Sequence, residues 1–213
     1  MNSQESRKNM SKDGTRLLVA TSNQKKLKEL QELLGNLPVR CLSLNDFPEI
    51  REVEETGHTF EENARIKALG YAGQTGILTL GEDSGICCEA LNGEPGVYSA
   101  RFCAGSRNDD ANNQKLLDLM KDVPDPKRSA YYESAIALAE PSRLIGIVRG
   151  QVHGVIAREL RGDGGFGYDP LFFYPPYQKT FGEVPIEMKH RVSHRGQALV
   201  KFRELLKEYL ARS

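Results

Sequence analysis

The chain has 213 residues, with 29 Lys+Arg against 29 Asp+Glu and therefore no net charge. This length fits one large domain, and folding buries roughly 70% of the unfolded surface, enough for a core without disulfide or metal staples. Zero net charge argues against a protein that coats nucleic acid, and 20 glycines and 10 prolines without a repeat exclude collagen-like and low-complexity chains.

Residues 1–15 are polar and lack an apolar h-region, so they read as a disordered extension and not as a secretory leader. One domain is expected over residues 16–213. No apolar run approaches the roughly 20 residues that span a bilayer. Cys41, Cys87, Cys88 and Cys103 show neither CxxC nor Cys/His spacing, so reduced thiols in a cytoplasmic protein are expected. Arg16–Ala20 reads as a buried strand. A helix follows, with Leu27, Leu30 and Leu34 on one face and Gly35 as its stop. Val39–Leu44 is a second strand, and an acidic loop with Glu49, Glu52, Glu54 and Glu55 runs to Gly57. Thr59-Phe60-Glu61-Glu62 is a capping box that opens a helix to about Tyr71.

Ile77–Asp83 reads as a strand, with a turn at Ser84-Gly85. Residues 92–102 read as loop and Asp109–Met120 as helix. Ser129–Ala139 and Leu144–Ala157 form a long antiparallel pair joined at residues 140–142. A glycine-rich stretch leads into Leu171–Tyr174, and the last helix spans about Ser193–Leu210 with one apolar stripe. This order predicts an α/β fold on a mixed sheet.

Five segments carry candidate chemistry. In Thr21-Ser22-Asn23-Gln24-Lys25-Lys26, Asn23 is a good N-cap, and the first helical turn holds lysines where acids are preferred. A bound phosphate would reverse that electrostatic penalty; the alternative is a solvated face with Lys25–Glu29 and Lys28–Glu32 pairs. In Gly81-Glu82-Asp83-Ser84-Gly85 the two acids sit at a strand end and should face opposite ways. Carboxylate oxygens without Cys or His favour Mg²⁺ or Mn²⁺; the alternative is a solvated turn. In the acidic loop Glu54 or Glu55 is a further source of a metal oxygen; the alternative is simply solvated charge. In Gly164–Pro170, Phe166 or Tyr168 can stack on a base, or fill the core. Lys189 and Ser193-His194-Arg195-Gly196 offer donors to an oxygen acceptor, or form a surface helix start. No GxSxG nucleophile elbow occurs.

These segments occur in order across the chain as TSNQKKLKEL, EETGHTFEENARIKA, GEDSG, GVYSARF, GGFGYDPLFF and SHRGQAL. That order resembles the Ham1/RdgB-like inosine triphosphate pyrophosphatase family over about Arg16–Leu210. The resemblance implies an elongated mixed sheet flanked by helices, with two lobes and a central substrate cleft. It implies a purine nucleoside triphosphate substrate, hydrolysed to monophosphate and pyrophosphate, and a homodimer. It places the phosphate loop on Thr21–Lys26, the essential acid on Asp83 with Ser84 contacting substrate, and the metal on Asp83 and Glu54. The base pocket falls on Phe166, Gly167, Tyr168, Asp169, Lys189, His194 and Arg195. Many members carry two aspartates where this chain has Glu82-Asp83, so an acid is kept at 82. Two other readings stay open: a Maf-like pyrophosphatase acting on other modified nucleotides, and a nucleotide-binding regulator without turnover.

Overall fold

The computed structural model describes residues 14–103 and 108–212. Residues 1–13 of the expected extension lie outside the described residues. Its end is a correction: Thr15 already belongs to the first strand, where its N–H donates to the carbonyl of Pro38 at 2.8 Å.

Among the described residues seven strands form one mixed sheet in the order β2-β1-β3-β4-β5-β6-β7. They are β1 Thr15–Val19, β2 Val39–Ser43, β3 Leu78–Cys88, β4 Ser129–Glu140, β5 Arg143–Ile156, β6 Phe172–Tyr174 and β7 Lys179–Thr180. β1 runs parallel to β2 and β3; every later pairing is antiparallel. The helices are α1 Gln24–Leu34, α2 Phe60–Thr75, α3 Asp109–Met120, α4 Ile186–Val192 and α5 His194–Arg212. None is long and apolar enough to cross a membrane. The expected last helix is α5; the short α4 before it had no counterpart among the expected elements, and the chain breaks between the two at Ser193, whose hydroxyl accepts from the Gly196 N–H at 3.1 Å and seats the start of α5.

The second correction is at β3. It does not turn at Ser84-Gly85 but continues to Cys88, in unbroken register with β4 from Thr79↔Ala139 to Cys88↔Ala130. Gly85 serves packing: a Cβ there would lie 2.3 Å from Ser99 Oγ and 2.6 Å from the Gly96 carbonyl oxygen. The 3₁₀ turn Gly96–Arg101, expected as loop, presses on the strand at that point.

The side chains of β3 alternate, and its two faces differ. On one face Leu78 and Leu80 join Leu17, Leu27, Leu30, Ile136, Leu138, Leu199 and Phe202 in a first core. Further along the same face Ile86 and Cys88 join Leu116, Met120, Tyr132, Phe172 and Phe181 in a second core. Between them that face carries Glu82 and Ser84, with Ser134 paired opposite Ser84. A polar gap thus separates the two cores on this face. On the other face α2 lies close against the sheet, Ala64 and Ala68 on Ala135, Ala137 and Ala139.

Candidate functional site

The site begins where β1 stops. The Ala20 N–H donates to the Leu80 carbonyl at 2.8 Å, and β1 pairs with β3 only as far as Leu80. Among the described residues no strand then pairs with β3 on that side until the bridge from Cys87 to Pro95. Glu82 and Asp83 therefore sit on an open strand edge, at the carboxyl end of a parallel pair, where α/β sheets place ligands.

The loop after β1 is shaped by its own side chains. Thr21 Oγ1 accepts from the Asn23 N–H at 3.1 Å, and Asn23 Oδ1 accepts from the Lys26 N–H at 3.3 Å, the expected N-cap. The Ser22 carbonyl accepts from Asn45 Nδ2 at 3.4 Å. Ser22, Asn23 and Gln24 are exposed, and of Lys25 only the backbone is described. Lys26 Nζ reaches 3.6 Å from Glu82 Oε2. α1 has no acid in its first turn, so its N-terminal amides and Lys26 form an electropositive corner.

Glu82 and Asp83 face opposite ways, as their alternation requires. Glu82 is claimed: Arg195 Nε donates to it at 2.8 Å, and Ser134 Oγ lies 3.5 Å away. Arg195 also pairs with Glu29 and donates to the Lys26 carbonyl at 3.4 Å. Its guanidinium is thus held by protein carboxylates, and burial lowers its pKa to about 10. Asp83 turns toward α2. Asn63 Nδ2 donates to its Oδ2 at 2.9 Å, and the Ser84 N–H donates to its Oδ1 at 2.9 Å. α2 comes this close because position 81 is glycine: a Cβ there would lie 2.4 Å from the Ala64 carbonyl oxygen and 2.6 Å from Ala68 N. Burial pushes the Asp83 carboxyl up to about 6. The Asn63 hydrogen bond opposes this, Glu55 adds to it and Lys67 works against it.

Asn63 and Lys67 were not singled out in the sequence, whereas Glu55 stood there beside Glu54 as a source of a metal oxygen. Lys67 Nζ pairs with Glu55 at 2.9 Å and donates to the Glu82 carbonyl at 3.0 Å. Asn63 and Lys67 lie four residues apart, polar positions on a helix face that otherwise buries Phe60, Ala64, Ala68 and Tyr71. That interruption of the buried stripe is the signal that marks them. The acidic loop contributes through Glu55; Glu54 is exposed and makes no ion pair among the described residues.

A cavity of about 430 Å³ opens beside this corner, lined by Asn23, Lys26, Phe166, Lys189, His194 and Arg195 among others. Such a volume suits a small ligand. Phe166 stands at its mouth, 59% exposed, with Lys189 Nζ 4.4 Å from its ring centroid. Lys189 is buried and pairs with Asp169, which also accepts from the Phe166 N–H at 2.8 Å. His194 stacks on Tyr132 with centroids 4.6 Å apart, and burial pushes its pKa down to about 3, so the imidazole is neutral at physiological pH. Tyr168 is corrected: its ring belongs to the second core and its hydroxyl donates to the Ser99 carbonyl at 2.9 Å, so it braces the loop instead of facing the cavity. Asp169 likewise supports the wall through Lys189.

The Ham1 family model matches residues 17–205. A dITP/XTP pyrophosphatase of Desulforamulus reducens is 50% identical over 90% of this chain and 95% of its own length. The protein of that name from Geobacter sulfurreducens is 50% identical over 92% and 96%. The solved structure of a HAM1 protein from Coxiella burnetii superposes with a TM-score of 0.86 at 41% identity, covering 91% of this chain and 99% of that one.

Proposed function

The chain belongs to the Ham1 family, and we propose that it hydrolyses deaminated purine nucleoside triphosphates (ITP, dITP, XTP and dXTP) to the nucleoside monophosphate and pyrophosphate, clearing them from the nucleotide pool. The observation that carries this reading is the division of labour around β3. A carboxylate short of counter-charge, Asp83, lies on the open edge of β3 just beyond the point where β1 ends and the chain turns into the cationic start of α1. A cavity with a buried ammonium and a neutral imidazole is lined by Asn23 and Lys26 of that helix start.

The triphosphate sits against Thr21–Lys26, where helix amides and Lys26 neutralise it. Water attacks the α-phosphorus, the α–β anhydride bond breaks, and pyrophosphate leaves. A carboxyl with a pKa near 6 is ionised at neutral pH yet basic enough to take the water's proton. Asp83 presents only oxygen donors, each oxygen accepts one protein hydrogen bond, and a second carboxylate stands near enough to raise its pKa. That set fits Mg²⁺ or Mn²⁺, which keep waters and phosphate oxygens as their other ligands. Asp83 and Glu55 would hold the ion, Glu55 taking the role given by resemblance to Glu54. When bound, it supplies charge neutralisation on the phosphates.

Lys189 and His194 face the purine six-position. A carbonyl there accepts from them; the amino group of adenine leaves buried donors unpaired, at roughly 1–3 kcal/mol per group. Phe166 covers the ring. The homodimer is part of the same proposal, and light scattering on the full chain tests it.

The experiment is product analysis with Mg²⁺ on ITP, XTP, dITP, GTP, ATP and TTP. Monophosphate and pyrophosphate from ITP and XTP, with ATP nearly untouched, is the expected result. Preference for TTP or another pyrimidine points to a Maf-like enzyme. Binding of ITP without turnover makes the chain a regulator and ends the reading.

A further inference from the structure

The loop that presents Phe166 is held by α3, a helix that touches neither the cavity nor Asp83. Asp109 Oδ2 accepts from the Gly167 N–H at 2.7 Å, and Asn113 Nδ2 donates to the Gly167 carbonyl at 2.9 Å. The two side chains lie four residues apart on one helix face and hold both polar groups of a single residue. Packing does not hold Gly167: it has φ +61° and open space where a Cβ would stand. Asn113 is 3% exposed, and among the described residues its Oδ1 has no hydrogen-bond partner. A buried amide that leaves its own oxygen unpaired costs stability, and what the structure gains from it is the Gly167 carbonyl.

α3 itself is firmly seated. Asn112 Oδ1 accepts from the Cys103 N–H at 2.7 Å, its Nδ2 donates to the Ala100 carbonyl at 3.4 Å, and Lys115 Nζ donates to the Phe102 carbonyl at 2.6 Å. On the other side of Gly167, Tyr168 is fastened to Ser99, whose Oγ accepts from the Ile86 N–H of β3 at 2.9 Å. Phe166 therefore hangs from a braced frame through Gly167.

We propose that Asp109 and Asn113 are positioning residues for base selection, acting through the Gly167 backbone to set Phe166 against the Lys189 and His194 wall. The proposal rests on the substrate class given above. It predicts a loss confined to base recognition. In Asp109→Ala and Asn113→Leu, KM for ITP rises about tenfold while kcat stays within about twofold, and the preference for ITP over ATP in kcat/KM falls by the same factor. Asp109→Asn keeps an acceptor for the Gly167 N–H and restores most of the preference.

The test is steady-state kinetics on ITP and ATP for wild type and the three variants, with melting curves alongside. Equal losses on both nucleotides, a fall in kcat alone, or an unchanged preference in Asp109→Ala overturns the proposal. If Asn113→Leu unfolds, the exposed Asp109 pair carries the test by itself. A wild type with no preference for ITP instead overturns the substrate reading, so the two failures are told apart.

Discussion

Glu82 and Asp83 are neighbours in the chain and opposites in their surroundings. Glu82 points into the gap between two hydrophobic cores and is met there by Arg195 and Lys26. Asp83 points the other way, toward α2, where an amide and a backbone N–H reach it and the nearest lysine is shared with Glu55. The first carboxylate is compensated and binds elements together. The second is undercompensated and left basic. One residue step along a strand separates architecture from reactivity, because alternation sends adjacent side chains to different neighbours.

The sharpest way to break this contrast is Asp83→Asn. Its kcat should fall about 10³-fold, and turnover within tenfold of wild type would end the assignment. The variant should be no less stable. A raised pKa means that the folded protein holds the proton more tightly than the unfolded chain between about pH 4 and pH 6, so ionised Asp83 lowers stability above pH 6. Removing the charge should therefore stabilise the metal-free protein by about 2 kcal/mol at pH 7.5 and give nothing below pH 4; melts in chelator measure this.

Glu82→Gln should do the reverse, costing about 1–2 kcal/mol in urea unfolding by leaving the buried Arg195 guanidinium with Glu29 as its one remaining carboxylate, while kcat changes far less than in Asp83→Asn. Combining it with Arg195→Met should recover part of that loss; strict additivity would deny that the pair is the cause.

His194 adds a pH dependence on the cavity side of the strand. Its pKa is depressed, so the unfolded chain binds the proton more tightly, and stability drops by about 1.4 kcal/mol per pH unit as pH falls from 6.5 toward 3. Melting temperatures of His194→Gln should fall less steeply over that range, and parallel curves would contradict the neutral imidazole. The smallest contrast is in the acidic loop. Glu55→Gln should raise the Mg²⁺ concentration for half-maximal rate at least about tenfold, and Glu54→Gln less than twofold. An inverted result would return the role to Glu54.

Much of this was legible in the residues. The apolar runs and caps placed β1, α1, α3 and the β4–β5 pair almost to the residue, because apolar patterning, end signals and, for β4–β5, a short connection are written in the local sequence. The start of α2 was legible too, although the return bond of its capping box shifts by one: Glu62 accepts from His58 and not from Thr59. The turn expected at Ser84-Gly85 failed because glycine there answers to a distant 3₁₀ segment, which no local pattern records. Tyr168 and Phe166 share one motif and one chemistry; only tertiary packing decides that the first is core and the second is rim. Asn63 and Lys67 went unnoticed because each is ordinary until α2 is laid on Gly81, and Glu55 could not be told from Glu54 until Lys67 was seen to reach it. Alternation alone predicted that Glu82 and Asp83 diverge. It could not say which of them would find the arginine, 113 residues further along the chain.

The two cores on one face of β3 bear on how the molecule breathes. Between them, at Glu82, Ser84 and Ser134, that face lacks apolar adhesion, and the halves are joined there by ion pairs and by the ladder of β3, β4 and β5. Regions with few apolar contacts open first. Slow-exchanging amides should accordingly fall into two islands, one around Leu80 and Leu138 and one around Ile86 and Tyr132, with faster exchange between them. The seam beside the proposed nucleotide site is then also the line along which sub-global opening starts, and a ligand bridging it would knit both islands into one protected unit.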